Sequence, residues 1–281
     1  MNIYRQYIEW VREALLAKPG AILPPKQALH LPGNRFLTSM SCALPGLGYG
    51  GVKIVTRQPG RWPAIKADIS LYEFQRMERF LWIDGAEITS KRTGAMAALC
   101  VDLFALKGWK TIGMIGLGET ARAFLHCLSP EHEITIKLRE YKNQHEIFVE
   151  EFSDKKNITF ETVYNNESLV RGSNIVVSAV TAADEQIARP EWFDYGCLLL
   201  PIHTRGFEKC DTVFEKVYCD DKGHVSGFGN YGKFHELYEV AEVLENRAPG
   251  REDDKERIIC YNVGIALLDI WFAKKHFDGE Y

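Results

Sequence analysis

The feature that most constrains the fold is an apolar strand that runs directly into a glycine turn and then into a helix. Residues 111–128 read TIGMIGLGETARAFLHCL, with Gly116-x-Gly118-x-x-Ala121 at the turn. In such a turn the first glycine permits the tight bend, and the second lets the backbone approach a pyrophosphate. The small third residue keeps the helix close to the strand. The segment therefore predicts a Rossmann-type site for NAD or NADP, and a purely structural glycine turn is the alternative.

The choice between the two dinucleotides depends on the end of the next strand. An acidic residue about 20 positions after the turn would bind the ribose hydroxyls and favour NAD. Glu140, which follows ITIKL, is the candidate for this role. Arg139 and Lys142 flank it and could instead accept the 2′-phosphate of NADP, so both cofactors stay open. All three residues could also be solvated charges at a strand end.

The chain after Gly108 alternates between apolar strands and helix-length segments. This alternation predicts an α/β fold, in which a doubly wound parallel sheet is covered by helices on both faces. The predicted strands cover residues 111–115, 134–138, 175–180, 197–202 and 216–219, and the predicted first helix covers 120–128.

The chain before Gly108 has a different texture. Short strands at 35–37, 51–55 and 67–71, separated by Pro and Gly clusters, predict a small antiparallel sheet, and a helix is predicted over 89–105. At the other end of the chain, residues 258–277 are predicted to be helical.

Length and composition fit an ordinary globular protein of two domains. The chain has 281 residues, 46% hydrophobic and 26% charged, with a net charge of −4 that gives no electrostatic footprint for nucleic acid. No apolar run is long enough to span a membrane, and the N-terminus predicts an amphipathic helix instead of an export signal, so we expect a cytoplasmic protein. Seven scattered cysteines without a C-x-x-C pair indicate reduced, structural thiols. We expect no resident metal.

Three cations in the first third of the chain are candidate ligands for an anion. Lys53 lies within the apolar strand GGVKIV, and a buried lysine is costly unless an anion pairs with it. Arg92 lies in ITSKRTGA, in a helix rich in small residues, and its planar fork suits a carboxylate. Lys26 lies in LPPKQ. Each could also be a surface or structural cation.

With these residues in hand, the chain resembles the ornithine cyclodeaminase/mu-crystallin family over nearly its whole length. The matching segments are LPPK, GVKIVT, EITSKRTGAMAAL, MIGLGETA, SNIVVSAVT and, more loosely, YNVGIALLDIWFAKK. The resemblance implies a dinucleotide-binding domain at 107–257. It also implies a second, α+β domain, built from 1–106 and 258–281, that binds substrate and forms a homodimer.

The resemblance also implies the roles of the site residues. Lys53 and Arg92 would hold the substrate carboxylate and nitrogen beside the nicotinamide, with Lys26 where an arginine is commoner. The shared chemistry is hydride transfer between an amino acid carbon and the cofactor through an imine, with Lys53 as the best catalytic candidate. We further assign five residues to the cofactor site: Glu119, Thr120, Ala179, Val180 and Thr181.

One departure from the family pattern lies in PIHTRGFEKCD. Cyclodeaminases carry a catalytic aspartate in a segment like GADCPGK, and its position here falls at His203, or at Thr204 with a one-residue shift. A histidine there could relay a proton or merely line the pocket. The sequence therefore predicts an NAD(P)-dependent oxidoreductase of a carbon–nitrogen bond: an imine or ketimine reductase, or an opine-type or amino acid dehydrogenase. Ornithine cyclodeaminase and an NADPH-dependent ligand-binding protein are the alternatives.

Overall fold

Two sheets organise the chain, one antiparallel and one parallel. The computed structural model describes residues 3–61, 64–180, 183 and 185–280. It divides into two units, Met1–Ala95 with Gly264–Tyr281, and Met96–Val263. The sequence places these divisions somewhat differently, after residues 106 and 257.

The first unit contains a five-stranded antiparallel sheet whose strands follow in the order β1-β2-β3-β4-β5. Short connections join consecutive strands into sequential antiparallel hairpins, and three of the four connections contain Pro and Gly. The sequence predicts a small antiparallel sheet with parts of β2, β3 and β4, but it does not predict β1 and β5. The helix α2 continues from the first unit into the second. The elements are α1 (Ile3–Ala17), β1 (Gln27–Leu31), β2 (Arg35–Leu44), β3 (Tyr49–Arg57), β4 (Ile65–Glu73), β5 (Glu78–Asp84), α2 (Ala86–Phe104) and, from the end of the chain, α8 (Ala266–Phe277).

The core of the first unit forms where α8 contacts β2, β3, β4 and α1. Gly51 in β3 permits this packing, because a Cβ there would lie 2.8 Å from the Ile270 side chain of α8. Side chains two positions apart in a strand point to the same face of the sheet. Lys53 therefore projects toward α8, the helix that packs against Gly51. The strand thus carries a lysine into an apolar interior.

The second unit contains an eight-stranded sheet in the order β12-β11-β13-β10-β9-β6-β7-β8. Every strand pair in it is parallel. The chain runs outward from β6 to β8 and then returns to β9 on the other side of β6, which makes β6/β9 the topological switch point. The elements are β6 (Thr111–Ile115), α3 (Glu119–Cys127), β7 (Ile134–Arg139), α4 (Gln144–Glu151), β8 (Ile158–Val163), α5 (Asn166–Val170), β9 (Ile175–Ser178), β10 (Leu198–Pro201), β11 (Lys216–Cys219), α6 (Lys222–Val225), β12 (Leu237–Glu239), α7 (Val240–Leu244) and β13 (Ile258–Tyr261).

One sequence prediction is wrong in this region. Residues Ile258–Tyr261 form β13 instead of the start of the last helix, which begins at Ala266. All four residues of β13 are buried, since the strand lies between β10 and β11 in the interior of the sheet. A short apolar run is compatible with a buried strand as well as with a buried helix, and its pairing partners decide which forms.

Within the described part of the chain, no helix combines the length and the apolar character that crossing a bilayer requires.

Candidate active site

The glycine turn lies at the switch point of the parallel sheet. Gly116 follows β6 with a φ of +82°, in the left-handed region that glycine adopts without strain. A Cβ at this position would lie 2.7 Å from the carbonyl group of Ala179 and 2.9 Å from the amide nitrogen of Val180. Gly116 therefore allows the turn after β6 to contact the segment after β9, which also explains why Ala179 and Val180 belong to this region.

Gly118 has a different environment. It precedes α3 with a φ of −84°, and a Cβ built there would meet no atom of the described residues within 4 Å. Space thus remains in front of the first turn of the helix, where free backbone N–H groups and the helix dipole favour an anion. Ala121, on the inner face of α3, is completely buried and lets the helix lie close to the sheet. These features fit a pyrophosphate group.

Two charged side chains flank this helix terminus. Arg122 donates from Nη1 to the Leu117 carbonyl oxygen at 2.6 Å, and from Nε to Glu151 at 2.6 Å. The Glu119 carboxylate lies 3.8 Å from the same guanidinium. Arg122 thus holds the turn and offsets the negative charge of Glu119 next to Thr120, in the first helical turn. Sequence reasoning missed Arg122, although its place three residues after an acidic N1 residue was a visible signal.

The end of β7 presents Glu140 to solvent. Its backbone N–H donates to the Val163 carbonyl oxygen at 2.9 Å, which fixes the residue against the end of β8. The neighbouring Arg139 side chain is engaged with Asn166 at 3.2 Å and with the Glu140 carbonyl oxygen at 2.7 Å. Lys142 lies over the Tyr141 ring, with Nζ 5.2 Å from the ring centroid. Glu140 is therefore exposed, whereas the side chains of Arg139 and Lys142 are both engaged in contacts with neighbouring residues.

The ends of β9 and β10 bring two polar side chains together. Ser178 closes β9, and its Oγ lies 2.7 Å from His203 Nε2, two residues after β10. The imidazole stacks on Phe207 at a centroid distance of 5.9 Å. Burial lowers the pKa of His203, so the ring is neutral at neutral pH. Thr181 lies outside the described residues.

In the first unit, Lys53 and Arg92 converge on a residue that sequence reasoning missed. Lys53 Nζ and Arg92 Nε each lie 2.9 Å from the same oxygen, Oδ1 of Asp269 in α8. All three side chains are buried, with relative exposures of 1%, 6% and 0%. The only sequence signal for Asp269 was a single charge in the apolar segment ALLDIWFA. The buried cluster carries two positive charges against one negative charge.

This imbalance affects the titration of Lys53. Burial lowers the pKa of Lys53 to about 8, because the interior solvates an ammonium group poorly. The carboxylate of Asp269 opposes this change, whereas the charges of Arg92 and Lys26 add to it. The sequence-predicted cation Lys26 thus lies within electrostatic range of Lys53. A buried amine with a pKa near neutrality can both donate and accept a proton under physiological conditions.

The position of the Arg92 guanidinium group also depends on the segment before α8. Gly264 has a φ of +85°, and a Cβ there would lie 2.7 Å from Nη1 and 2.8 Å from Nη2 of Arg92. A side chain at this position would displace the guanidinium group. In the first unit, Asp269 therefore accepts a hydrogen bond from Arg92, and Gly264 leaves room for its guanidinium group.

A parallel sheet with a glycine turn at its switch point places the protein in the class of Rossmann-type dinucleotide-binding proteins. The chain belongs to the ornithine cyclodeaminase/mu-crystallin family, whose model matches residues 2–279. The predicted family and enzyme class, an NAD(P)-dependent oxidoreductase of this type, are confirmed.

Individual relatives support the assignment to this family. The nodulation efficiency protein NfeD of Rhizobium meliloti is 25% identical over 91% of this chain and 83% of its own length. The Delta(1)-pyrroline-2-carboxylate reductase of Bacillus cereus is 25% identical over 85% of this chain and 80% of its own length.

Two solved structures share the fold. The Delta(1)-pyrroline-2-carboxylate reductase of Thermococcus litoralis, in complex with NADH and L-proline, has a TM-score of 0.86 at 24% identity, over 98% of this chain and 92% of its own. An archaeal alanine dehydrogenase dimer with bound NAD has a TM-score of 0.84 at 23% identity, over 98% and 91%. The predicted fold class is confirmed.

Proposed function

We propose that this protein is an imine reductase, which reduces the C=N bond of a small 2-imino carboxylate to the corresponding amino acid with NADH or NADPH. The observation that carries this proposal is the buried cluster in which Lys53 and Arg92 share one carboxylate oxygen. Two cations against one anion leave a net positive charge, which a substrate carboxylate would neutralise. The relatives named pyrroline-2-carboxylate reductase act on a substrate of this type.

The reaction requires a hydride, a proton and an orienting charge. The dinucleotide supplies the hydride, and the residues proposed to hold it are Gly116, Gly118 and the start of α3. When hydride adds to the imine carbon, the π electrons move to nitrogen, which takes one proton to become an amine. Lys53 supplies that proton, and its lowered pKa of about 8 suits the transfer. Arg92 binds and orients the carboxylate.

The environment of Glu140 supports NADH as the preferred cofactor. The carboxylate is exposed at the end of β7, next to the strand that carries the glycine turn, where it can accept hydrogen bonds from the ribose hydroxyls. It would repel the 2′-phosphate of NADPH. Arg139 already donates to Asn166 and to a backbone carbonyl oxygen, so it is poorly placed to offset that repulsion.

The test is the absorbance of NADH and NADPH in the presence of cyclic imines and of 2-oxo acids paired with amines. We expect oxidation, faster with NADH, and a loss of at least about 100-fold in kcat/KM in Lys53→Ala and Arg92→Ala. Lys66→Ala, an exposed lysine on the adjacent β4, is the matched control and keeps full activity. No oxidation with any imine, or oxidation that survives Lys53→Ala, would contradict the proposal.

His203 remains the predicted replacement for the family's catalytic aspartate. Its Nε2 is engaged with Ser178, and its pKa is lowered by burial, so it carries no charge that could replace an aspartate carboxylate. We therefore favour imine reduction over ornithine cyclisation. The same assay includes ornithine, and we expect neither proline nor ammonia to form from it.

The exposed edge of the antiparallel sheet supports the predicted homodimer. Among the strands of the described residues, β1 pairs only with β2. It exposes Leu29 and Leu31, with Leu37 directly opposite Leu29 on β2. Contiguous exposed leucines on an edge strand favour association with another chain. The archaeal alanine dehydrogenase of the same fold is a dimer. The predicted cytoplasmic location stays a prediction.

The mass in solution tests this association. We expect sedimentation analysis to give twice the 32.0 kDa mass of one chain. The double variant Leu29→Lys with Leu31→Lys introduces two charges on one face of β1 and should sediment as a monomer. Leu47→Lys, at an exposed turn between β2 and β3, is the control and should remain dimeric. A monomeric wild type would rule the homodimer out.

A further inference from the structure

Asp269 is the only residue that we find bonded to both cations among the part of the chain that the structure describes. Its Oδ1 accepts from Lys53 Nζ and from Arg92 Nε, each at 2.9 Å, while Oδ2 is buried and has no hydrogen-bond partner among the described residues. The carboxylate thus acts on both cations through a single oxygen. The position of either cation depends on the position of that one atom.

We propose that Asp269 is a positioning residue, which orients the Lys53 ammonium and the Arg92 guanidinium for substrate and keeps Lys53 protonated. The inference deepens the proposed function and rests on it for its catalytic readout. Asp269 is completely buried, and its bonded oxygen contacts both cations, so it acts through them and not on the substrate. Gly264 completes the arrangement, because its missing side chain leaves room for both Nη atoms of Arg92.

The surroundings of Lys53 explain why this carboxylate matters. Among the described residues, three charged groups act on the ammonium group: Asp269 from α8, Arg92 from α2 and Lys26 from the segment before β1. The two cations and burial all favour the neutral amine. Asp269 alone favours the ammonium form, by its charge and by its hydrogen bond. Without Asp269, burial and the two cations would act unopposed and lower the pKa of Lys53 further, and the ammonium group would also lose its hydrogen-bond acceptor.

The experiment compares variants of Asp269 in the whole protein. Asp269→Asn keeps the shape but removes the charge, and we expect the alkaline limb of kcat/KM to move at least about 1 pH unit lower. We also expect a loss of about 100-fold in kcat/KM at its optimum. Asp269→Glu restores the charge and should restore the midpoint, but not the full rate. Asp278→Asn breaks an exposed pair with Lys274 near the end of α8 and should behave as the wild type.

A second readout separates this inference from the proposed reaction. The titration of Lys53 is followed by NMR of Cε-labelled lysine, with Lys53→Arg to assign its signal and no substrate present. If no imine is reduced but the Lys53 midpoint falls in Asp269→Asn, the proposed function fails and the positioning role stands. If the wild type is active and Asp269→Asn keeps both the midpoint and the rate, the positioning role is overturned. If Asp269→Asn does not fold, an unchanged rate in Asp269→Glu would overturn the positioning role instead.

Discussion

At the scale of single residues, the protonation state of Lys53 predicts how the activity of the protein depends on pH. Burial lowers its pKa from an ordinary value of 10.5 to about 8, so the group is protonated below that pH and neutral above it. Imine reduction consumes the proton, so kcat/KM should fall about tenfold per pH unit above about pH 8. Oxidation of the amine needs the neutral form and should instead rise toward that pH.

Steady-state rates from about pH 6 to about pH 10 check this prediction. Lys53→Arg is the control, because a guanidinium group stays charged throughout this range and should remove the limb near pH 8. A wild-type profile that stays flat up to about pH 10 would show that Lys53 does not supply the proton.

Sequence reasoning found some residues of the candidate site and missed others for a physical reason. Lys53 was recognisable because a lysine within an apolar strand requires an anion, and the structure supplies one in Asp269. Asp269 was not recognisable as that anion, because 216 positions separate it from Lys53 and only the packing of α8 on β3 brings them together. Ser178 was missed similarly, since its pairing with His203 depends on the register of β9 and β10.

At the scale of the element, the two glycines of the turn should respond differently to the same substitution. Gly116→Ala combines a φ of +82° with a Cβ 2.7 Å from the Ala179 backbone, and should lower the free energy of unfolding by about 2 kcal/mol or more. Gly118→Ala has an ordinary φ and open space, so the loss should stay under about 1 kcal/mol. It should nevertheless weaken dinucleotide binding at least about tenfold, since the new methyl group occupies the approach to the helix terminus.

Denaturant unfolding and NADH fluorescence titration, run on both variants, separate these effects. Gly227→Ala, at a glycine with open space far along the chain, is the matched control for both measurements. Wild-type NADH affinity in Gly118→Ala would contradict the assignment of the pyrophosphate to this turn.

The sequence predicted helices and strands correctly where the local pattern of apolar residues was sufficient to identify the element. The strands β6 and β11 have the predicted bounds, because each is a short apolar run enclosed by turn residues or charges. Residues 258–261 were predicted as helix, since nothing in four apolar residues shows which neighbouring strands will pair with them. The error is one of long-range pairing and not of hydrophobicity, because the residues are buried as their composition requires.

At the scale of the whole molecule, the thiols test the expectation of a reduced protein. All seven cysteines are free and buried. Burial raises the pKa of Cys42 and of Cys197 to about 12, so these thiols stay protonated and unreactive near neutral pH. We expect a disulfide reagent such as dithionitrobenzoate to label the native protein very slowly and to label seven thiols in denaturant. Rapid labelling of any native thiol would show that a cysteine is more accessible than its burial indicates.

The position of β13 has a consequence for the order of folding. This strand is the last of the chain's thirteen described strands, yet it lies between β10 and β11, which pair with it and not with each other. During synthesis β11 and β12 are made earlier than the strand that joins them to β10. The ribosome must therefore release residue 261 before the sheet can close, and until then two parallel strand edges stay open to chaperones or to aggregation.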